Sequence, residues 1–256
     1  MYKESFLMAW ASLIANKMRS ILTMLGIIIG VAAVIALVSI GNGVKQDIQN
    51  SISSLGSNLL MVMPGAPRTP GVRPSPGSMK SLKVADYEAI AKLDGVKAAS
   101  PMTNGGYVVI YQNKNWTTSV SGVNANYLDV NNWTMKSGRF LSEKNVQNRE
   151  RVAVVGKTVV KNLFGDEDPV GKEIRVKNIP FRIIGVLNSK GSGAMGNDQD
   201  DMVIIPYTTA MERVDGIDYL RMIYVVGKDE NGIDRLQSDI ENLLRVRHGI
   251  KDTNLD

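Results

Sequence analysis

From Ser20 to Val44 the chain carries no charged side chain, and this stretch constrains the fold more than any other feature of the 256 residues. Its core, Ile21 to Ile40, is twenty residues long and holds twelve Ile, Leu or Val. At a helical rise of 1.5 Å it spans about 30 Å, the thickness of a bilayer's hydrocarbon core. On an insertion scale those twelve side chains alone contribute roughly −5 kcal/mol. A cleaved signal peptide would have a shorter apolar region and an A-x-A-like site. Here only Gly41 and Gly43 offer a weak cleavage signal, so the stretch reads as a retained transmembrane helix. Lys17 and Arg19 lie just before it, while Lys45 and Asp47 cancel just after it. The positive-inside bias therefore predicts a cytoplasmic N-terminus and residues 45–256 outside a cell membrane.

Around this span the sequence reads as three further regions. Phe6, Leu7, Trp10, Leu13 and Ile14 recur at helical spacing within residues 1–19 and predict an amphipathic helix lying in the cytoplasmic interface. Gly26-x-x-x-Gly30, continued by Ala33, puts small residues on one stripe of the span and predicts close packing against a partner helix. Beyond the membrane, Val44, Ile48, Ile52 and Leu55 keep a three-to-four spacing, and no proline intervenes before Pro64. The helix is thus expected to run on to about residue 55 as a stalk, with a break at Gly41 and Gly43 as the alternative. A proline-rich loop follows over residues 64–77.

The remainder alternates helical and strand patterns. Helices are expected over Lys83–Leu93, Lys157–Phe164, Tyr207–Val214 and Ile233–Val246. Strands are expected near Ser57–Gly65, from Val96 onwards, and over Tyr107–Tyr111, Trp116–Val123, Arg151–Gly156, Glu173–Val176, Phe181–Leu187, Met202–Ile205 and Leu220–Val226. The fold class is α+β, with a β-rich middle between two strand-helix ends.

Composition excludes several chemistries. There is no cysteine, and His248 is the sole histidine. That removes disulfide scaffolds, thiolate zinc sites and His/Cys metal clusters, and leaves one imidazole for any nucleophile pair. Of the net charge of +5, much comes from Lys3, Lys17 and Arg19 near the N-terminus and from Arg68, Arg73, Lys80 and Lys83. No domain is basic enough to engage nucleic acid. Gly191-Ser-Gly193-Ala-Met-Gly196 matches a dinucleotide fingerprint, but NDQDD follows it where a helix would have to begin, so it reads as a loop. Asp198, Asp200 and Asp201 lack the spacing of a calcium loop and read as a solvated loop tip. Asp166, Glu167 and Asp168 before Pro169 are turn residues. His248 sits at a helix end, where a cation favours the dipole. No catalytic residue, cofactor site or metal site emerges.

Six segments, in order, resemble the membrane subunit of a MacB-type ABC transporter. They are KMRSILTMLGIIIGVAAVIALVSIGNGV, LGSNLLMVMPG, SGRFL (Ser137 to Leu141), VAVVGKTVVKNLFGDEDPVGKEI, FRIIGVLNSKGSG and DDMVIIPYTTAMERV. The resemblance covers essentially the whole chain. It implies a permease whose first span leads into an extracytoplasmic domain, with a porter-like α/β subdomain split over residues 57–112 and 217–256 and a β-rich insert over 113–216. Residues 20–56 would be the transmembrane and stalk helix. It further implies a separate ABC ATPase subunit, a second permease copy as homodimer, a membrane-fusion-type adaptor, and ATP-driven movement relayed through the long first helix without an enzymatic site on this chain. The family pattern would add three more spans after Asp256, and the chain is expected to be truncated before them. A single-pass anchored module that binds a ligand or signals is the alternative.

Overall fold

The computed structural model describes residues 17–55, 58–65, 80–193, 196–229 and 232–249, with Lys3, Phe6 and Met8; for Ser20 and residues 44–55 it describes the backbone alone. Contacts divide the chain into two compact units, residues 1–51 and 52–256.

The first unit is dominated by helix α1, Lys17–Leu55, 39 residues long. It continues through Gly41 and Gly43 without the break those glycines would allow. At 1.5 Å per residue its length is about 58 Å. The remaining positions of the expected interfacial helix, Leu7, Trp10, Leu13 and Ile14, lie outside the described residues, as does most of the proline-rich loop.

Among the described residues the second unit is built on nine strands. In chain order they are β1 (Leu59–Val62), β2 (Val96–Tyr111), β3 (Lys114–Val123), β4 (Met135–Gly138), β5 (Val152–Val155), β6 (Glu173–Val176), β7 (Ile179–Leu187), β8 (Met202–Pro206) and β9 (Met222–Gly227). Interleaved helices are α2 (Val84–Ile90), α3 (Tyr127–Val130), α4 (Glu143–Gln147), α5 (Lys157–Leu163), α6 (Tyr207–Thr209) and α7 (Ile233–His248). The strand order is β1-β9-β2-β3-β8-β5-β7-β4, with β6 joined to β2 and β7.

Strand β2 organises this sheet. Its first half, Val96 to Met102, pairs antiparallel with β9, and its second half, Thr103 to Tyr111, pairs antiparallel with β3. The sequence pattern gave two separate runs here because Pro101, Gly105 and Gly106 interrupt it. Pro101 is tolerated because this half of β2 has a ladder partner on one side only, Ile223 of β9, so its missing N–H breaks no second ladder. The β2–β3 turn needs a positive φ at Gln112 (53°). The hairpin of β6 and β7 closes through Lys177 and Asn178, both left-handed at 50° and 66°, the geometry whose twist matches paired strands.

Three buried clusters fill the unit. Leu82, Ile90, Val96, Leu220, Ile223 and Leu236 pack where α2 and α7 cover the β1–β9–β2 end. Val109, Val120, Val159, Leu163, Phe181 and Ile205 form a second core beneath α5. Val123, Tyr127, Trp133, Leu141, Ile184 and Leu187 form a third beside α3. Side chains alternate between sheet faces, and β5 shows the consequence: Ala153 and Val155 enter the second core, Val152 and Val154 the third. All four residues are buried, as an uninterrupted apolar run requires.

The helix expected over Tyr207–Val214 is one α-turn followed by a π-helical segment, Ala210–Asp215. Its ends are held by neighbours. Thr208 and Thr209 donate to the carbonyls of Val146 and Glu150, and Lys177 donates to the Val214 carbonyl at 2.9 Å. Gly216, at φ 66°, caps it in the left-handed region. An apolar spacing of three to five residues does not separate a 3.6-residue turn from a wider one, so the sequence carried no signal for the π form.

Candidate functional site

Two features of the described residues bear on function. The first, the surface of α1, has no explanation in the packing of a soluble domain. Every described side chain from Lys17 to Gly43 is exposed, including Leu22 at 67%, Ile28 at 62% and Leu37 at 74%. The 27 residues Lys17–Gly43 contain a window of mean hydropathy 2.9, none of it buried. So large a contiguous apolar surface is not stable in water, and its length matches a bilayer. Thr23 donates its hydroxyl to the Arg19 carbonyl at 2.9 Å, which satisfies that polar group within the helix.

Gly26, Gly30 and Ala33 fall within about 60° of one another around this helix, at 100° per residue. A Cβ added at Gly26 or Gly30 would meet nothing within 4 Å, and Ala33 is exposed. The stripe is therefore an open surface, and no described residue covers it. Val44, Ile48, Ile52 and Leu55 have helical backbone, but their side chains lie outside the described residues.

The second feature is the way the second unit ties down α7. Asp86 sits in the first turn of α2 and is 3% exposed. One carboxylate oxygen accepts from Arg247 Nε at 2.7 Å. The other accepts from the Lys83 amide at 2.9 Å and lies 2.9 Å from His248 Nε2. Burial pushes the Asp86 carboxyl up, but hydrogen bonds from Arg247, the Lys83 amide and His248 outweigh it and hold the group below the usual carboxylate range. His248 thus does more than answer the dipole of α7, as its place at a helix end suggested: with Arg247 it clasps the end of α7 to the start of α2. The reach-back of Asp86 to the amide three residues earlier is the one local signal that could have found this hub.

The acidic loop also differs from the sequence reading. Asp200 is 4% exposed, not solvated. It accepts from the amides of Lys190 and Gly191 and from the Ser189 hydroxyl. Asp198 accepts from Thr158 at 2.6 Å, and Asp201 from the Trp116 indole at 2.8 Å. These carboxylates are structural acceptors that tie the loop to itself, to β3 and to α5. Among the described residues no group of three or more His, Asp or Glu is arranged to hold a metal ion. A strand, and no helix, follows the glycine-rich segment; its Ala194 and Met195 lie outside the described residues.

An exposed apolar helix of bilayer length, followed by a mixed α/β unit, defines the class: a membrane-associated protein with a folded domain after the apolar helix in sequence. The chain belongs to the MacB-like periplasmic core domain family, whose model matches residues 20–243. It is 45% identical over 250 residues to the macrolide export ATP-binding/permease protein MacB of Rhodospirillum rubrum, and 39% identical over 251 residues to that of Marinobacter nauticus. These alignments cover 97% and 98% of this chain. The chain spans 38% of the length of each relative. Among solved structures it is similar to the periplasmic region of MacB from Actinobacillus actinomycetemcomitans, with a TM-score of 0.66 and 26% identity, covering 78% of this chain and 89% of that one. The extracellular domain of the noncanonic ABC-type transporter YknZ from Gram-positive bacteria shares the fold, with a TM-score of 0.63 at 19% identity, covering 76% of this chain and 97% of that one. Family and apolar helix together support a membrane location.

Proposed function

We propose that this chain is the first span and extracytoplasmic domain of a MacB-type ABC exporter, and that it moves substrate outside the membrane by relaying motion through α1. The observation that carries the reading is the family match over residues 20–243 combined with an uninterrupted helix from Lys17 to Leu55. A helix about 58 Å long exceeds the hydrocarbon core by more than 20 Å, so it has the length to act as a rigid link. The N-terminus is cytoplasmic and residues 45–256 are outside. The power source is an ATP-hydrolysing unit outside these 256 residues. The sequence reading gave that unit to a separate subunit, whereas the relatives' name joins ATP-binding and permease in one protein. Two copies assemble through the stripe of Gly26, Gly30 and Ala33, and a membrane-fusion-type adaptor engages the outer domain. Within that domain residues 57–112 and 217–256 form the porter-like part, and 113–216 the insert. Strand β2 runs between the two parts, Val96–Met102 pairing with β9 and Thr103–Tyr111 with β3 of the insert, and Met211 of the insert joins the core that holds Leu220 and Ile223.

The deciding comparison is between Ser51→Pro and Ser51→Ala in the complete transporter. Proline removes a backbone donor and kinks the helix at a cost of about 3 kcal/mol or more, while alanine is the best helix former. Export should be abolished by the proline and unchanged by the alanine, with expression and ATP binding intact in both. Equal export from the two variants would make this segment a passive tether and favour an anchored binding module.

A further inference from the structure

Ser119 and Ser121 stand two residues apart on β3 and so share the sheet face that carries Val123 into the third core. Where that core ends, a cavity of about 290 Å³ opens. Tyr127, Trp133, Tyr224, Met102 and Met202 give it aromatic and thioether walls, and the Tyr127 and Tyr224 rings meet edge to face at 6.3 Å. Apolar walls with a few polar groups are the usual make-up of a small-molecule site.

The polar groups on this lining are incompletely used. Lys190 donates to the Asn131 carbonyl at 2.6 Å, and its ammonium stands 4.7 Å from the centre of the Trp133 ring. An ammonium has three donors, and among the described residues no carboxylate forms an ion pair with this one. Burial pushes its pKa below the ordinary lysine value. Ser121 is 1% exposed, and its Oγ has no hydrogen-bond partner among the described residues. A buried unpaired hydroxyl is destabilising and is uncommon without a function. Asp201, by contrast, is spent on the Trp116 indole, a side chain packed against the second core on the opposite face of β3.

We propose that this cavity binds a small molecule with an aromatic or apolar body and a neutral amide, its carbonyl accepting from Lys190 and its N–H donating to Ser121 Oγ. The charge follows from the lining: an anion would pair with Lys190 but face Asp198 and Asp201, and a cation would pair with a carboxylate but face the Lys190 ammonium, so a neutral ligand avoids both repulsions. The site is independent of the transport reading and stands whether or not α1 relays motion.

The test uses the full chain in lipid nanodiscs, titrated with N-acetyl-L-phenylalaninamide by calorimetry and saturation-transfer NMR. Saturable binding is expected. N-acetyl-L-phenylalanine, an anion at neutral pH, and L-phenylalaninamide, largely a cation below its amine pKa, should each bind about tenfold more weakly or worse. Lys190→Met keeps the apolar stem and removes the donor, and should weaken binding by about tenfold or more. Ser119→Phe fills the cavity without changing charge and should abolish binding with the melting transition of the outer unit retained. It is read in the same way should Lys190→Met fail to fold. No saturable binding of the amide in the millimolar range overturns the proposal. So does undiminished binding by the folded variants, and so does tighter binding of either charged analogue.

Discussion

Asp86 answers two side chains that arrive from the far end of the sequence, Arg247 and His248, the latter 162 positions away. Its depressed carboxyl pKa turns that contact into a pH dependence with a fixed sign. The group is more acidic folded than unfolded, so its contribution is present in full above the ordinary value of 3.8 and is lost as pH falls below it, through the folded value. Thermal unfolding of the outer unit between pH 7 and pH 3 should show a falling acid limb. Asp86→Asn should flatten that limb and lower stability at pH 7 by about 2 kcal/mol. This is below the usual cost of breaking a buried pair, because the Arg247 side chain is 36% exposed and water takes up part of its charge. Parallel pH curves for the two proteins would show that Asp86 contributes nothing to acid sensitivity. An acid in the first turn of α2 marks Asp86 locally as a helix-start residue, but nothing local marks which distant cation it will meet. Asp200 escaped for the same reason: in sequence it is one of three acids in a polar loop, and only the fold turns it inward.

At the scale of elements, the glycine stripe of α1 gives a clean experiment. Leucine is a better helix former than glycine by about 1 kcal/mol, and a Cβ added at Gly30 meets nothing within 4 Å among the described residues. Gly30→Leu should therefore leave α1 and the outer unit intact, with an unchanged circular dichroism spectrum. If the stripe packs against a partner helix, the same change should reduce recovery of the assembled complex after detergent extraction. Undiminished recovery would count against that role. Elements whose apolar pattern is locally complete were read correctly: the buried run of β5, the β6–β7 hairpin, and α7 with Leu236 and Ile240 inward. The span itself was legible from its lack of charge. The pattern failed where packing decides. It could not join the halves of β2 across Pro101, and it could not give Ala210–Asp215 its wider turn.

At the scale of the whole molecule, the asymmetry of charge before and after the span fixes the expected orientation. A reporter that is active only outside the cytoplasm, fused after Asp256, should be active; one that works only in the cytoplasm should be silent there. The reverse pattern would invert the topology and remove the basis for an extracytoplasmic domain. The sheet order also dictates a timetable for the chain's birth. Asn58 donates to the Gly227 carbonyl across 169 residues, and among the described residues β1 has no ladder partner other than β9. At about 5–20 residues per second of synthesis, on the order of ten seconds or more separate the arrival of these two strands. The residues of β3 to β8 emerge in between and can close their own ladders first. Until β9 appears, β1 and the first half of β2 wait as open edges, the form in which strands recruit the wrong neighbour. The span next to them is already seated in lipid by then, so each waiting strand is held to its own patch of membrane, and crowding of nascent copies there, rather than bulk concentration, sets the hazard of mispairing.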